Sequence, residues 1–495
     1  MGKHLALALI LATVVPVSAT GQVATYTLID PVVAGLLSGS SVSTNTNPIA
    51  LATTGLVQGT AADGTTQVIL RIPASNAGQN FTVTVINDAK SPSDSIPNDG
   101  GLFALGGSPS SAASSLAVTA VSTSVGAEAF AIYLAPVNFS RSSADYTLAT
   151  RSVTLQVSTT ASGITGTARV TVARPPVVLV HGLWGSASSF SSFTPLITDA
   201  NFDVNYATYD NAITGITSTT PSFSKSAAIE ANSLGFAYNA PSVLAQINNF
   251  IANYRTSANL AAVKADVVAH SMGGDVSRTM LLLPNFLSNP TFPTFGAGPI
   301  NKLITIATPH LGTPVAALLL ASNNACVRNV LAGDQDYALA TITFSGQMAN
   351  GAVGDLEGNG FGGSLSMALT NLNQIQTQPF KTAYIAGIAT STNLNGLSCI
   401  FCTAEVVRAL CSSNPLAKDL TATKWTTIYG QSNDTIVPLD SALNNLSGQQ
   451  FSGVIHTAAL ETLDFKGPSV LDAASNISSE VISLLNEQPT GSDFY

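Results

Sequence analysis

Between residues 20 and 174 the apolar positions alternate with polar ones in short runs. Gln67-Val68-Ile69-Leu70-Arg71-Ile72, Phe81-Thr82-Val83-Thr84-Val85-Ile86 and Ser152-Val153-Thr154-Leu155-Gln156-Val157 are set apart by clusters of Gly, Pro, Ser and Asn. A period of two between turn residues predicts antiparallel strands with one buried face. Several such runs without helical periodicity predict a β-sandwich of immunoglobulin-like type. Asp94 to Ser115, which holds Pro97, Gly100, Gly101, Gly106, Gly107 and Pro109, reads as a long loop. No charge cluster, aromatic platform or metal motif marks this part, so a structural or spacing role stands level with binding of a surface, a polymer or the substrate.

The pattern changes after Arg174-Pro175-Pro176. Val177-Val178-Leu179-Val180 is apolar throughout and opens into His181-Gly182-Leu183-Trp184-Gly185. Asp203 to Ala207 reads as a strand and Asp210 to Ala240 as a long polar insertion. Pro241 to Tyr254 then sets Val243, Leu244, Ile247, Phe250, Ile251 and Tyr254 on one helical face, with Pro241 near the first turn. Further strands are expected at Val267–Ala269, Lys302–Ala307, Ala383–Ile388, Trp425–Tyr429 and Phe451–Ile455. Nearly all-apolar strands alternating with helices predict a parallel sheet covered on both faces. Val315 to Pro379, with a glycine-dense stretch at 351–363, is a candidate cap or an inserted surface subdomain. A cysteine-bearing insertion runs from Ser391 to Thr423.

Composition narrows the partners. A net charge of −9 with only 18 Lys and Arg leaves no basic stripe, so nucleic acid is not an expected partner. Mean hydropathy is +0.33, yet past the N-terminus no apolar run approaches a membrane span, and Pro314 to Ala321 is too short. Lys3 and His4, the apolar Leu5 to Val15, Pro16 and the small residues up to Ala19 read as a signal peptide over residues 1–19. Secretion is the expected localisation. Four cysteines, Cys326, Cys399, Cys402 and Cys411, allow up to two disulfides in three connectivities. Cys399 and Cys402 have the spacing of a zinc knuckle or redox pair, but no histidine is near to complete a zinc site, and no cofactor or metal is expected.

The candidate chemistry centres on Val267-Val268-Ala269-His270-Ser271-Met272-Gly273-Gly274. A strand running into a serine with small neighbours, then into a helix-like segment from Asp275, is the sequence of a nucleophile elbow. Ser233, in Ala231-Asn232-Ser233-Leu234-Gly235, has a similar spelling but no strand before it. A serine needs a base, and the base an acid to orient it. Of the five histidines only His310 and His456 follow Ser271, and Asp275 is the sole acid between Ser271 and His310. The order Ser, acid, His therefore selects His456. Asp434, in Ser432-Asn433-Asp434-Thr435-Ile436-Val437-Pro438, leads as the acid. Asp440 is second, because an N-cap role is open to it, and Asp419 and Asp355 follow. Backbone N–H groups of Leu183 and Met272 are the candidate oxyanion donors. His181 is read as orienting its own loop.

The His-Gly-Leu-Trp-Gly turn, the Ala-His-Ser-Met-Gly-Gly elbow, the Thr-Pro-His-x-Gly segment at 308–312 and the Asn-Asp-x-Ile-Val-Pro loop resemble the α/β-hydrolase superfamily, and within it bacterial lipases and esterases. The resemblance covers roughly Pro175 to Glu487. It implies an α/β-hydrolase fold with Ser271 as nucleophile, His456 as base, Asp434 as orienting acid, and Leu183 and Met272 at the oxyanion. Ala269 stands where many members have glycine, and a calcium site that some members carry is not located here. The expected organisation is a signal peptide at 1–19, a sandwich at 20–174 and a catalytic unit at 175–495 with a cap at about 312–380. The expected activity is hydrolysis of lipid-like or polymeric esters, with peripheral contact at a lipid interface. The same machinery serves a polyester depolymerase, thioesterase, amidase or acyltransferase, and a non-catalytic cell-surface binding protein is the distant alternative.

Overall fold

A computed structural model describes residues 26–86, 95–159, 163–213, 216–220, 229–320, 341–344, 347–360, 363–390, 430–457, 467–489 and 491–495. The expected signal peptide, all four cysteines, the Trp425–Tyr429 strand, the Ser391–Thr423 insertion and Asp419 lie outside the described residues.

The alternating runs form two facing sheets. One runs in the order Thr27–Ile29, Gln67–Ala74, Gly126–Leu134, Gly101–Ala104. The other runs in the order Leu260–Ala261, Gly59–Ala61, Gly163–Ala173, Thr150–Thr159, Asn80–Ile86, Ser115–Thr119. Val68, Leu70 and Ile72 of the first meet Val83, Val153, Leu155, Val170 and Val172 of the second in one buried core. The Asp94–Ser115 loop expectation is corrected, because Gly101–Ala104 is a strand that pairs with Gly126–Leu134 and buries Leu102 and Phe103. Four consecutive apolar residues between paired glycines, Leu102 to Leu105, show no period of two.

The second half forms a parallel sheet in the order Val204–Ala207, Val177–Val180, Ala265–His270, Ile300–Ile306, Lys381–Ile388, Gln449–Ser452. The central strands are buried along their whole length because each feeds two cores, whereas the edge strand Gln449–Ser452 is polar and partly exposed. Val178, Val180, Val267, Ala269 and Leu303 face the long helix and the elbow helix, while Val177, Leu179, Val268, Ile304 and Ile306 face Phe190, Phe193 and the C-terminal helix Ile477–Asn486. The long helix starts earlier than its apolar period suggests, running over Phe236–Ala258 with Pro241 inside it. Its first N–H, from Phe236, donates to Asp355 Oδ2 at 2.8 Å, a cap supplied by a residue 119 positions away.

One strand joins the two halves. Leu260–Ala261 follows the long helix yet pairs in parallel with Gly59–Ala61 at the edge of the sandwich. Beside it, Asp63 accepts from Thr65 N at 2.9 Å, Thr66 N at 2.7 Å, Thr66 Oγ1 at 2.6 Å and Val263 N at 3.1 Å. Asp63 thus grips the connection into the elbow strand. Buried Arg174 sits between the halves as well, over the Phe139 and Phe202 rings at 4.0 and 4.8 Å, and donates to Asn486 Oδ1 at 2.7 Å. At the amino ends of the parallel strands, Lys302 Nζ donates to the carbonyls of Leu484 at 3.2 Å and Leu485 at 2.9 Å, closing the end of the C-terminal helix. Its strand neighbour Asp266 accepts from Asn301 Nδ2 at 2.7 Å, and burial pushes the Asp266 carboxyl up to about 6.

Among the described residues, the stretch expected as a cap contains the helices Pro314–Leu320, Ala352–Asp355 and Met367–Asn373. Ala316, Leu319, Val353, Leu369 and Leu372 share the core of the elbow helix. No described helix is long and apolar enough to cross a membrane.

Candidate active site

The elbow strand ends at His270 and the helix Met272–Thr279 begins at once. Ser271, between them, is held at φ 54° and ψ −134°, a backbone region that disfavours residues with a Cβ by about 1–3 kcal/mol. Its N–H donates to Ile306 O at 2.9 Å, so the neighbouring strand fixes the turn. Two glycines let the chain pass this closely. A Cβ on Gly273 would lie 2.5 Å from the carbonyl oxygens of both Val180 and His181, and one on Gly182 would lie 2.6 Å from Ser271 Cβ. Ser271 is half-buried while His270 and Met272 on either side are buried. The strain lifts one side chain out of an otherwise closed surface.

The structure brings Ser271, His456 and Asp434 together from three separate segments. His456 Nε2 lies 2.9 Å from Ser271 Oγ, and His456 Nδ1 lies 2.8 Å from Asp434 Oδ2. Asp434 Oδ1 accepts from the N–H groups of Ile436 at 3.1 Å and Val437 at 2.8 Å, and the His456 N–H donates to Asp434 O at 2.8 Å. With both carboxylate oxygens engaged, the carboxylate receives the Nδ1–H of His456. Nε2 is then left as an acceptor facing the serine hydroxyl.

The turn carrying Leu183 lies against the serine through Gly182. His181 stacks on Tyr209 with ring centroids 4.1 Å apart, its Nδ1 lies 2.9 Å from Gly182 O, and the buried Tyr209 hydroxyl donates to His181 O. Burial lowers the His181 pKa, which keeps the ring neutral. Asn232 Nδ2 reaches the far side of the turn at Gly185 O, 3.2 Å away. Trp184 has φ 56°. Met272 opens the elbow helix, where backbone N–H groups have no partner within the helix.

The other candidates have different places. His310 is buried behind the elbow helix, where Arg278 Nη1 donates to its Nδ1 at 3.0 Å and Asp275 Oδ1 is 3.4 Å away. Burial lowers its pKa. Ser233 is buried in a helical turn against Asn232. Asp355 caps the long helix. Asp440 is exposed in the first turn of Leu439–Ala442, whose N-cap is Pro438, so the N-cap role expected for Asp440 is corrected. Reading the sequence missed Tyr209, Asn232 and His270 at the site. His270 stood inside the elbow motif itself, whereas nothing local marks the other two. Among the described residues, no group of three or more His, Cys, Asp or Glu is placed to hold a metal ion. A cavity of about 210 Å³, lined by Leu234, Phe236, Ala237, Thr279, Leu282 and Met367 among others, lies at the far end of the elbow helix from Ser271. That end is roughly 12 Å away at the helical rise per residue.

Residues 171–332 match the family model described as PGAP1-like alpha/beta domain. Among solved structures, the chain is similar to the mature lipase BlEst2 of Bacillus licheniformis, with 16% identity over 63% of this chain and 91% of that one and a TM-score of 0.37. The phospholipase PlaB of Legionella pneumophila matches at 12% identity over 63% of this chain and 59% of its own, with a TM-score of 0.36. An esterase B of Lactobacillus rhamnosis, solved with a tributyrin phosphonate inhibitor, matches at 11% identity over 63% and 76%, with a TM-score of 0.28. No curated protein matches the sequence.

Proposed function

We propose that this chain, a member of the α/β-hydrolase superfamily, is a serine hydrolase of carboxylic esters. One observation carries the reading: an unbroken hydrogen-bonded line from Ser271 Oγ to His456 at 2.9 Å and from His456 to Asp434 at 2.8 Å, set on a strained elbow. Ser271 Oγ attacks the ester carbonyl carbon while His456 Nε2 takes its proton, and Asp434 holds the imidazole and balances the cation. The carbonyl oxygen becomes an oxyanion. The N–H groups of Leu183 and Met272 are assigned to it, each such donor contributing about 3–4 kcal/mol in the transition state. The intermediate collapses, His456 returns the proton to the departing alcohol, and a water repeats the sequence to free the acid. Only 9% of the residues are charged, which suits an apolar acyl part in a lipid-like or polymeric ester. Export through residues 1–19 belongs to the same proposal. Thioesters, amides and alcohol acceptors share the first half-reaction, so substrate panels separate those activities.

The test is labelling of the purified protein with a fluorophosphonate, peptide mapping, and turnover of p-nitrophenyl esters from acetyl to palmitoyl. Label is expected on Ser271 alone, and Ser271→Ala is expected to remove the label and lower kcat at least ~1,000-fold while the fold persists. Label on another serine, or turnover retained by Ser271→Ala, would overturn the assignment. Absence of label and turnover in the unaltered protein would favour a binding protein built on this fold.

A further inference from the structure

The base is carried by a loop, and loops hold a side chain less firmly than strands do. His456 nevertheless has to keep Nε2 within hydrogen-bond reach of a serine that belongs to a different part of the chain. Its flanks are tied down on one side: Ile455 N donates to Pro468 O at 3.0 Å and Val470 N to Ile455 O at 2.9 Å. The His456 N–H goes to Asp434 O at 2.8 Å. All of these bonds run to the acid loop or the segment after it. None reaches the strand that carries the nucleophile.

His270 makes that link. It is the last residue of the elbow strand and the covalent neighbour of Ser271. Its Nε2 lies 3.2 Å from the carbonyl oxygen of His456, and its ring centroid is 4.9 Å from the His456 ring. A carbonyl oxygen can only accept, so the His270 nitrogen there is a donor. The ring is buried, and its ionisable neighbours are His456 and His181. Burial holds it well below the ordinary histidine range, so it presents that N–H as a neutral ring, without a second positive charge beside the base.

We infer that His270 is a positioning residue for the proposed reaction: its Nε2–H, donated to the His456 carbonyl, locks the base-bearing loop to the strand that delivers Ser271. The bond closes a short ring: Ser271 Oγ to His456 Nε2, through the His456 backbone to its carbonyl, across to His270 Nε2, and back along one peptide bond to Ser271. Nucleophile and base thus share one rigid unit, and a shift of either must break this bond or the bond between them. The inference rests on the proposed roles of Ser271 and His456.

Two substitutions in the full chain test it. His270→Met fills similar volume without a donor. His270→Gln offers an amide N–H at about the reach of the ring nitrogen. The measurements are kcat and KM for a p-nitrophenyl ester, the fluorophosphonate labelling rate, the downfield proton resonance of the His456–Asp434 hydrogen bond, and the thermal midpoint. His270→Met is expected to lower kcat and the labelling rate roughly 10- to 100-fold with KM nearly unchanged, as sub-ångström misplacement of a base does, and to broaden or shift the proton resonance. His270→Gln is expected to stay within about threefold of the unaltered kcat. A His270→Met protein with unchanged kcat and resonance would overturn the inference, as would a Gln variant as impaired as the Met variant, since packing alone would then account for the loss. If the unaltered protein neither labels nor turns over ester, the proposed function fails first, and the persistence of the downfield resonance in the Gln variant but not the Met variant still decides the positioning role.

Discussion

The two halves of the molecule turn their chains by different means. From residue 26 to 173 every described residue with positive φ is a glycine, whereas all nine described non-glycine residues with positive φ lie beyond residue 173. Trp184, Ser271 and Ala307 follow the carboxyl ends of three neighbouring parallel strands, and Thr435 adjoins Asp434. Each such residue costs of order 1–2 kcal/mol. The sandwich therefore makes its turns without strain, and the parallel sheet spends stability at the end where the candidate site lies. The difference is one of backbone: one half is relaxed at its turns, and the other holds non-glycine residues under strain at the strand ends beside the candidate site.

The most severe challenge to that comparison is Asp63→Ala, a lesion wholly within the relaxed half. It removes the acceptor of four hydrogen bonds, one of them from Val263 on the way to the elbow strand. We expect a loss of roughly 3–4 kcal/mol, since orphaned buried donors add to the lost bonds. Both tryptophans, Trp184 and Trp425, come after the sandwich, so denaturant titration followed by their fluorescence reads the second half of the chain. A midpoint that does not move would show that the halves are independent.

Asp266→Asn probes the amino ends of the parallel strands, opposite the candidate site. Burial raises the Asp266 carboxyl to about 6 from an ordinary 3.8, so its protonated form is favoured in the folded chain. Its contribution is present in full below pH 3.8 and is lost as pH rises through about 6. The substitution is expected to flatten stability over that window by roughly 2–3 kcal/mol, with kcat little changed. Thermal midpoints measured at pH 4 and pH 7 check it, and an unaltered slope would refute the assignment.

The smallest effect sharpens the contrast directly. Ala307 has φ 51° and lies beside the elbow. Ala307→Gly relieves strain but also deletes a methyl buried in the core, so the two effects offset and stability, read from the thermal midpoint, is expected to shift by no more than about 1 kcal/mol. A loss well beyond that would show that burial of the methyl outweighs the strain.

What could be read before the fold was known follows the same division. Alternation exposed the strands at 81–86 and 152–157, because half-buried antiparallel strands write their two faces into the sequence, whereas 67–72 is buried on both faces, with Val68, Leu70 and Ile72 in one core and Ile69 in another. The elbow and the acid loop were legible because a sharp strand-to-helix turn and a tight Asx-type loop both restrict residue choice locally. The choice of His456 over His310 came from chain order, and the geometry places His310 against Arg278 and Asp275 instead. Tyr209 and Asn232 were hidden because each acts through one long-range hydrogen bond to a backbone carbonyl, which imposes no pattern on its neighbours. Leu260–Ala261 was hidden for a related reason: two residues cannot show a period, and their partner strand belongs to the other half.

That two-residue strand also imposes an order of events. The ribosome delivers Gly59–Ala61 early and Leu260–Ala261 only after the first parallel strands and the long helix have been made. Until then the nascent sandwich carries an unpaired edge, the kind of edge that recruits strands from other chains. Pairing along that edge is therefore complete only once residues 260 and 261 have emerged, and a ribosome paused between residues 174 and 260 would hold a chain whose Gly59–Ala61 edge lacks its partner.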